Sequence, residues 1–238
     1  MNKLLLTNKG CIVTIELNSA EENTSVAGAA AEKKVDARTR ILKTALSEFA
    51  TKGFDGVSTT EIAKIAGVTQ PLIHYHFKSK LALWQATVEE IFLVLKTEFS
   101  QLITELSGHS KQGRLVEVIR GFVTFASKHP EFGQFLLREG TQKTERLEWM
   151  IDTWARPTLG LLVEDYRQGV AEGWLKDLPF PQIVSIVMAA CMQFYALAPM
   201  IESMYGVNSQ DPEQVELHTA AVMEMISQAM LVGEGVAA

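Results

Sequence analysis

Beyond residue 35 the apolar positions recur every three to four residues, the spacing of one face of an α-helix. Asp36 is placed to cap a first helix with Ile41, Leu42, Ala45, Leu46 and Phe49 turned inward, ending at Gly53. Two short helices follow within residues 58–80. The stripe Leu83, Trp84, Val88, Ile91, Phe92, Leu95 and Phe99 then predicts a long helix over residues 81–106. Further helices are expected over 114–128, 130–138 and 144–172, the last kinked or broken by Pro157. Residues 181–205 and 212–231 supply two more, each with a proline at or near its start. The expectation is nine or ten helices and no sheet. A β-branched run at 11–17 reads as a short strand without a partner.

The fold class is therefore all-α, with a small N-terminal group of three helices and a larger C-terminal helical domain. Residues 1–35 read as an extension, because 21–34 are rich in Ala, Glu, Ser and Asn and carry no large apolar period. The first globular unit is assigned to 36–84 and the second to 85–238.

Charge sharpens this division. The chain of 238 residues has a formal net charge of −6. Residues 33–80 hold nine Lys/Arg against four Asp/Glu, whereas the rest holds 13 against 24. A basic module joined to an acidic one implies that only the first meets a polyanion. Two cysteines, Cys11 and Cys191, make neither a disulfide framework nor a zinc cluster and fit a reduced cytoplasm. Cys191, in an apolar stretch, reads as a small buried hydrophobe. Leu4, Leu5 and Leu6 are too short a run for a signal peptide, and Asn8, Lys9 and Gly10 interrupt it. Residues 178–201 carry no charge and are long enough to span a bilayer. Their prolines, glutamines and alanines favour a helix buried between protein layers instead, and no membrane partner is expected.

The informative stretch is Ser-Thr-Thr-Glu-Ile-Ala-Lys-Ile-Ala-Gly-Val-Thr-Gln-Pro-Leu-Ile-His-Tyr-His-Phe-Lys-Ser-Lys, residues 58–80. Ser58 or Thr59 can cap a helix, with Glu61 completing a capping box. Ile62 and Ile65 are read as inward, Ala63 as the small residue at a close crossing, and Gly67 as the left-handed stop. Thr69 caps a second helix, Pro71 lies in its first turn, and Ile73 and Phe77 point inward. Two short helices crossing steeply in this way form a helix-turn-helix, whose second helix suits a DNA major groove.

Over about residues 38–84 the sequence resembles the TetR family. The resemblance rests on Phe49-Ala50…Gly53-Phe54, Val57-Ser58-Thr59-Thr60…Ile62-Ala63, Ala66-Gly67-Val68 and His76-Phe77-Lys78-Ser79-Lys80. It implies a cytoplasmic homodimer that binds double-stranded operator DNA, most often a repressor released by a small-molecule effector. Carried over position by position, DNA contacts fall on Thr59, Thr60, Thr69, Gln70, Pro71, His74, Tyr75 and Lys80. The chemistry suits them: Gln70 can pair with an adenine edge, and Pro71 and the threonine methyls can touch thymine methyls. Thr59, Tyr75 and the start of the long helix can donate to phosphate, and Lys80 adds charge. His74 stands where the family has tyrosine, so charge at this contact depends on pH.

Beyond residue 85 the resemblance implies architecture alone. The last two helices offer Ile183, Ile186, Val187, Ala190, Phe194, Leu217, Ala221, Met225 and Met230 for a four-helix dimer interface. An effector cavity is expected among the middle helices, lined by Phe122, Phe125, Phe135, Trp154, Met188 and Met192. Arg138 and Glu139 either orient a polar ligand there or pair on the surface. No nucleophile elbow, phosphate loop, zinc-binding His-Glu pattern or dinucleotide turn is present, so no enzyme is expected. His74 and His76, two apart on a helix, diverge and make no metal site. No cofactor is expected.

Overall fold

A computed structural model of the protein describes residues 25–232. Eleven α-helices run through them: α1 Ser25–Lys52, α2 Thr59–Ala66, α3 Gln70–Phe77, α4 Lys80–Glu105, α5 Lys111–Lys128, α6 Pro130–Glu139, α7 Glu145–Met150, α8 Arg156–Ala171, α9 Phe180–Ala196, α10 Ala198–Tyr205 and α11 Pro212–Met230. Among the described residues, extended backbone pairs only at one bridge, Leu175 with Leu231. The fold is all-α, a helix-turn-helix followed by a larger helical domain, as the hydrophobic periodicity predicts. The chain divides into a unit of residues 1–37 and a unit of residues 38–238. The strand expected at 11–17, and Cys11, lie outside the described residues.

Two helix boundaries depart from expectation and one expected interruption is present, each for a local reason. α1 begins at Ser25, so Asp36 lies inside the helix and does not cap it. The preceding Ala27, Ala29, Ala30, Ala31, Glu32 and Lys33 are good helix formers and carry the helix toward the N-terminus. The interruption expected at Pro157 is present, between α7 and α8. The proline sits in the first turn of α8, and the turn before it, Ile151–Ala155, widens to a π-helix. The proline ring lacks an N–H and crowds the carbonyl four residues back, and the wider turn accommodates both. The single helix expected over 181–205 is two, α9 and α10, bent by 69° at Leu197. Pro199 cannot donate to the carbonyl of Tyr195, so the helical ladder stops there. No single helix among the described residues is long and apolar enough to cross a membrane; α9 and α10 meet that composition only as the bent pair.

The core is continuous from the helix-turn-helix into the larger domain. α1 contributes Ile41, Leu42, Ala45 and Phe49, and α4 contributes Leu83, Trp84, Val88, Ile91 and Phe92, all buried. Along α4 the aromatic rings form a chain of contacts. Trp84 meets Phe135 and Trp149, each at 5.8 Å; Phe92 meets Phe132 and Trp154, each at 5.6 Å. Phe132 meets Phe125 at 5.4 Å, and Phe125 stacks on Phe122 at 6.3 Å. α6 and α9 approach closely at Gly133, where a β-carbon would lie 3.2 Å from that of Ala196. Cys191 is fully buried, as expected of a small hydrophobe, and burial pushes its thiol up to about 12.

Candidate nucleic-acid interface

Helices of eight residues are marginal on their own, so α2 and α3 depend on their ends and their packing. Ser58 caps α2: its Oγ accepts from the Glu61 amide at 3.1 Å. The Glu61 carboxylate reaches back toward the Ser58 amide, the reciprocal half of the capping box. It also meets Lys52 Nζ at 2.5 Å, which in turn meets Glu48 at 2.6 Å, and the ammonium more than the amide holds Glu61 below the usual carboxylate range. α2 ends on Gly67 at φ 66°, with the Val68 amide donating to the Ala63 carbonyl at 2.9 Å. That is the left-handed helix stop read from the sequence.

The buried stripe of α2 runs along Ile62, Ala63 and Ala66. Ile65, expected inward, is 53% exposed, because it lies past the edge of that stripe. Thr69 occupies the cap position of α3 in extended geometry, but its hydroxyl does not cap. The first turn closes through the Thr69 carbonyl, which accepts from the Leu72 amide at 3.0 Å. α3 buries Ile73 and Phe77. On its opposite side it exposes Gln70, Pro71, His74 and Tyr75, preceded by exposed Thr69.

The join between α3 and α4 is two residues long. Lys78 has φ 63° and ψ −42°, and the Ser79 amide donates to the Phe77 carbonyl at 2.7 Å. This is a γ-turn of the rare, strained sense, here on a residue with a side chain. Ser79 then caps α4 by accepting from the Ala82 amide at 3.0 Å. An open groove of about 510 Å³ beside this join is lined by Asp55, Ser58, Thr59, Glu61, His74 and Lys80, among others. It brings Thr59, His74 and Lys80 together. Thr69, Gln70, Pro71 and Tyr75 share the outward side of α3, and Thr60 is exposed on α2. Lys80 Nζ sits 4.5 Å from the Phe54 ring.

The residues assigned to an effector fall in four places. Phe122 and Phe125 join Trp154 through Phe132 and Phe92. Phe135 packs separately on Trp84. On α9, Met192 is buried, within 3.4 Å of a β-carbon built at Gly133, and Met188 is half-buried. Arg138 turns the other way: it donates from Nε to the Ala50 carbonyl at 3.2 Å and from Nη2 to the Thr51 carbonyl at 2.6 Å. Its neighbour Glu139 is buried and lies 3.5 Å from Arg146 Nε. Sequence reasoning missed Arg146 and Phe54, which meet at 4.1 Å, because residues 92 apart signal nothing locally. It also missed two buried polar atoms without hydrogen-bond partners, Tyr195 Oη and Trp154 Nε1. Among the described residues no group of three His, Cys, Asp or Glu side chains is placed to hold a metal ion.

This chain matches two family models: residues 41–87 match "Bacterial regulatory proteins, tetR family", and residues 112–226 match "Tetracyclin repressor-like, C-terminal domain". It is 24% identical over 179 residues to the probable HTH-type transcriptional regulator YttP of Bacillus subtilis, covering 75% of this chain and 86% of YttP. It is 24% identical over 174 residues to the HTH-type transcriptional repressor NicS of Pseudomonas putida, covering 71% and 79%. A solved structure of a putative transcriptional regulator from Saccharomonospora viridis, in complex with choline, superposes with a TM-score of 0.56 at 18% identity, over 83% of this chain and 99% of that one. These relatives regulate transcription and are not enzymes. The chain belongs to the TetR family: it is a transcriptional regulator with a DNA-binding domain of the helix-turn-helix type.

Proposed function

We propose that the protein is a cytoplasmic, homodimeric repressor that binds a palindromic double-stranded operator and leaves it when a small-molecule effector binds. The observation that carries the reading is the outward side of α3. Thr69, Gln70, Pro71, His74 and Tyr75 stand together on a short helix whose other side is buried through Ile73 and Phe77. Gln70 is the base reader, and Thr59, Thr60, Tyr75 and Lys80 position the backbone. Dimerisation uses α9 and α11, whose outward Ile186, Leu217 and Met225 are 60%, 56% and 72% exposed. The effector enters among Phe122, Phe125, Phe135, Trp154, Met188 and Met192. The naming of NicS as a repressor and the choline held by the Saccharomonospora regulator support the two finer parts of this reading.

Selection of bound sequences from a random DNA pool tests it. The expected product is an inverted repeat whose half-site centres lie about 34 Å apart, or a multiple of that. Recovery of no common sequence would overturn the reading.

A further inference from the structure

The DNA-reading unit is tied to the larger domain at α4, which follows α3 directly and buries Leu83, Trp84, Val88, Ile91 and Phe92. A second attachment lies beside the start of α4, at the end of α1, where Phe54 meets Lys80 Nζ at 4.5 Å. The last carbonyls of any helix lack partners within it and carry partial negative charge. Two of these in α1, on Ala50 and Thr51, accept from one guanidinium, that of Arg138 near the end of α6. The fork of Arg138 suits two neighbouring carbonyls in a way that a lysine ammonium does not. Gly53, at φ 77°, follows immediately, and a β-carbon there would lie 3.2 Å from Arg138 Cδ. Glycine therefore serves both the turn and the close lie of the arginine stem.

The next residue, Phe54, carries the second half of the contact. The Arg146 guanidinium sits 4.1 Å from its ring centroid, and Arg146 is held from behind by buried Glu139. Burial pushes Glu139 up from its ordinary value, while Arg146 and the nearby Trp84 indole favour its charged form. Neither the Arg146 Nε nor the Trp84 Nε1 closes a hydrogen bond of normal geometry to it. Between these contacts runs a cleft of about 170 Å³ lined by Lys52, Asp55, Gln142 and Thr144, among others. This seam is polar, whereas the α4 seam is apolar. Polar seams between domains are the ones that open and re-form readily.

We propose that Arg138, backed by the Arg146–Glu139 pair, is a positioning clamp that holds the end of α1 and thereby fixes the half-site spacing the dimer accepts. Without the clamp the unit would be held through α4 alone; with it, the end of α1 is held as well. The clamp acts without touching DNA. The inference rests on the proposed two-half-site operator.

Arg138 is exposed, so its replacement leaves the core intact. The experiment compares full-length wild type, Arg138→Ala and Arg138→Lys on three DNAs: the selected operator, the same operator with one base pair inserted between half-sites, and a single half-site. Wild type is expected to lose about tenfold or more on the insertion. Arg138→Ala is expected to bind the operator about tenfold more weakly, to lose less than about threefold on the insertion, and to match wild type on the single half-site. Arg138→Lys is expected to resemble Arg138→Ala. Hydrogen exchange should accelerate at the amides of residues 50–56 in both variants and stay unchanged in α5 and α9. An Arg138→Ala protein that keeps the full insertion penalty overturns the clamp while leaving the operator reading intact. A wild type that ignores spacing overturns the operator reading, and the clamp with it.

Discussion

The reading unit α2–α3 and the pair α9–α11 leave opposite chemistry on their outer sides. α2 and α3 are eight residues each, and around the turn they expose mostly polar positions, Thr60, Gln70, His74 and Tyr75 with Thr69 between the helices, beside Pro71 and one aliphatic, Ile65. α9 and α11 have 17 and 19 residues and expose Ile186, Leu217 and Met225. The short pair is held by discrete local devices: the Ser58 cap, the left-handed Gly67 and the Ser79 cap. The long pair is held by packing, with Cys191, Met192, Tyr195, Val222, Met223 and Ile226 buried. A polar outer side built on capped turns suits a wet, charged partner and tolerates substitution without unfolding. An apolar outer side built on long helices calls for a second apolar surface.

Four changes probe this contrast, from the largest expected effect to the smallest. Met225→Arg places a charge on the α11 face and is expected to weaken dimerisation by about 3–5 kcal/mol. Sedimentation should show monomer at micromolar protein while circular dichroism stays unchanged; a dimer of undiminished stability would remove this face from the interface. Gln70→Ala should cost about 1–3 kcal/mol of operator binding and relax preference at one base pair per half-site, with the unfolding midpoint unmoved. If sequence preference survives, Gln70 does not read a base.

Lys78→Gly should raise stability by about 1 kcal/mol, since relief of positive-φ strain exceeds the entropy glycine adds to the unfolded chain. A lower urea midpoint would mean that the turn is unstrained. The smallest effect concerns His218 on α11, whose Nε2 lies 2.9 Å from the Ala190 carbonyl of α9 and whose ring stacks 4.5 Å from Phe194. Burial pulls this imidazole below 6.5, outweighing the Ala190 contact. On acidification the unfolded chain therefore takes up the proton first. Stability from this group is present above about pH 6.5 and lost as pH falls below it. His218→Gln should flatten the pH dependence of the melting temperature over that range, and an unchanged slope would exclude the assignment.

The contrast also explains what could be read from the chain. Helix caps and stops act within four residues, so Ser58, Gly67, Pro71 and the break after Phe77 were legible. Ile65 was misplaced because period alone does not say which of two edges of a stripe the neighbour covers. Pro199 broke its helix and Pro157 only widened one, a difference set by whether the surrounding packing rewards continuation. Arg138 offered a charge and nothing about its direction. Its two acceptors lie 87 and 88 residues away, and only the folded backbone brings them into reach. The aromatic chain along α4 was visible as apolar positions, but not which rings would touch.

The two-residue join at Lys78 has a mechanical consequence. A linkage with slack absorbs motion before passing it on, as play in a gear train does. Here the hydrogen bond from Ser79 to Phe77 and the cap from Ser79 to Ala82 take up the slack on both sides of one strained residue. On the proposed effector response, a tilt at the far end of the 26-residue α4 would reach α3 through this short join with little play. Lys78→Gly, which frees the backbone at that one residue, would then trade a sturdier fold for a looser reading head.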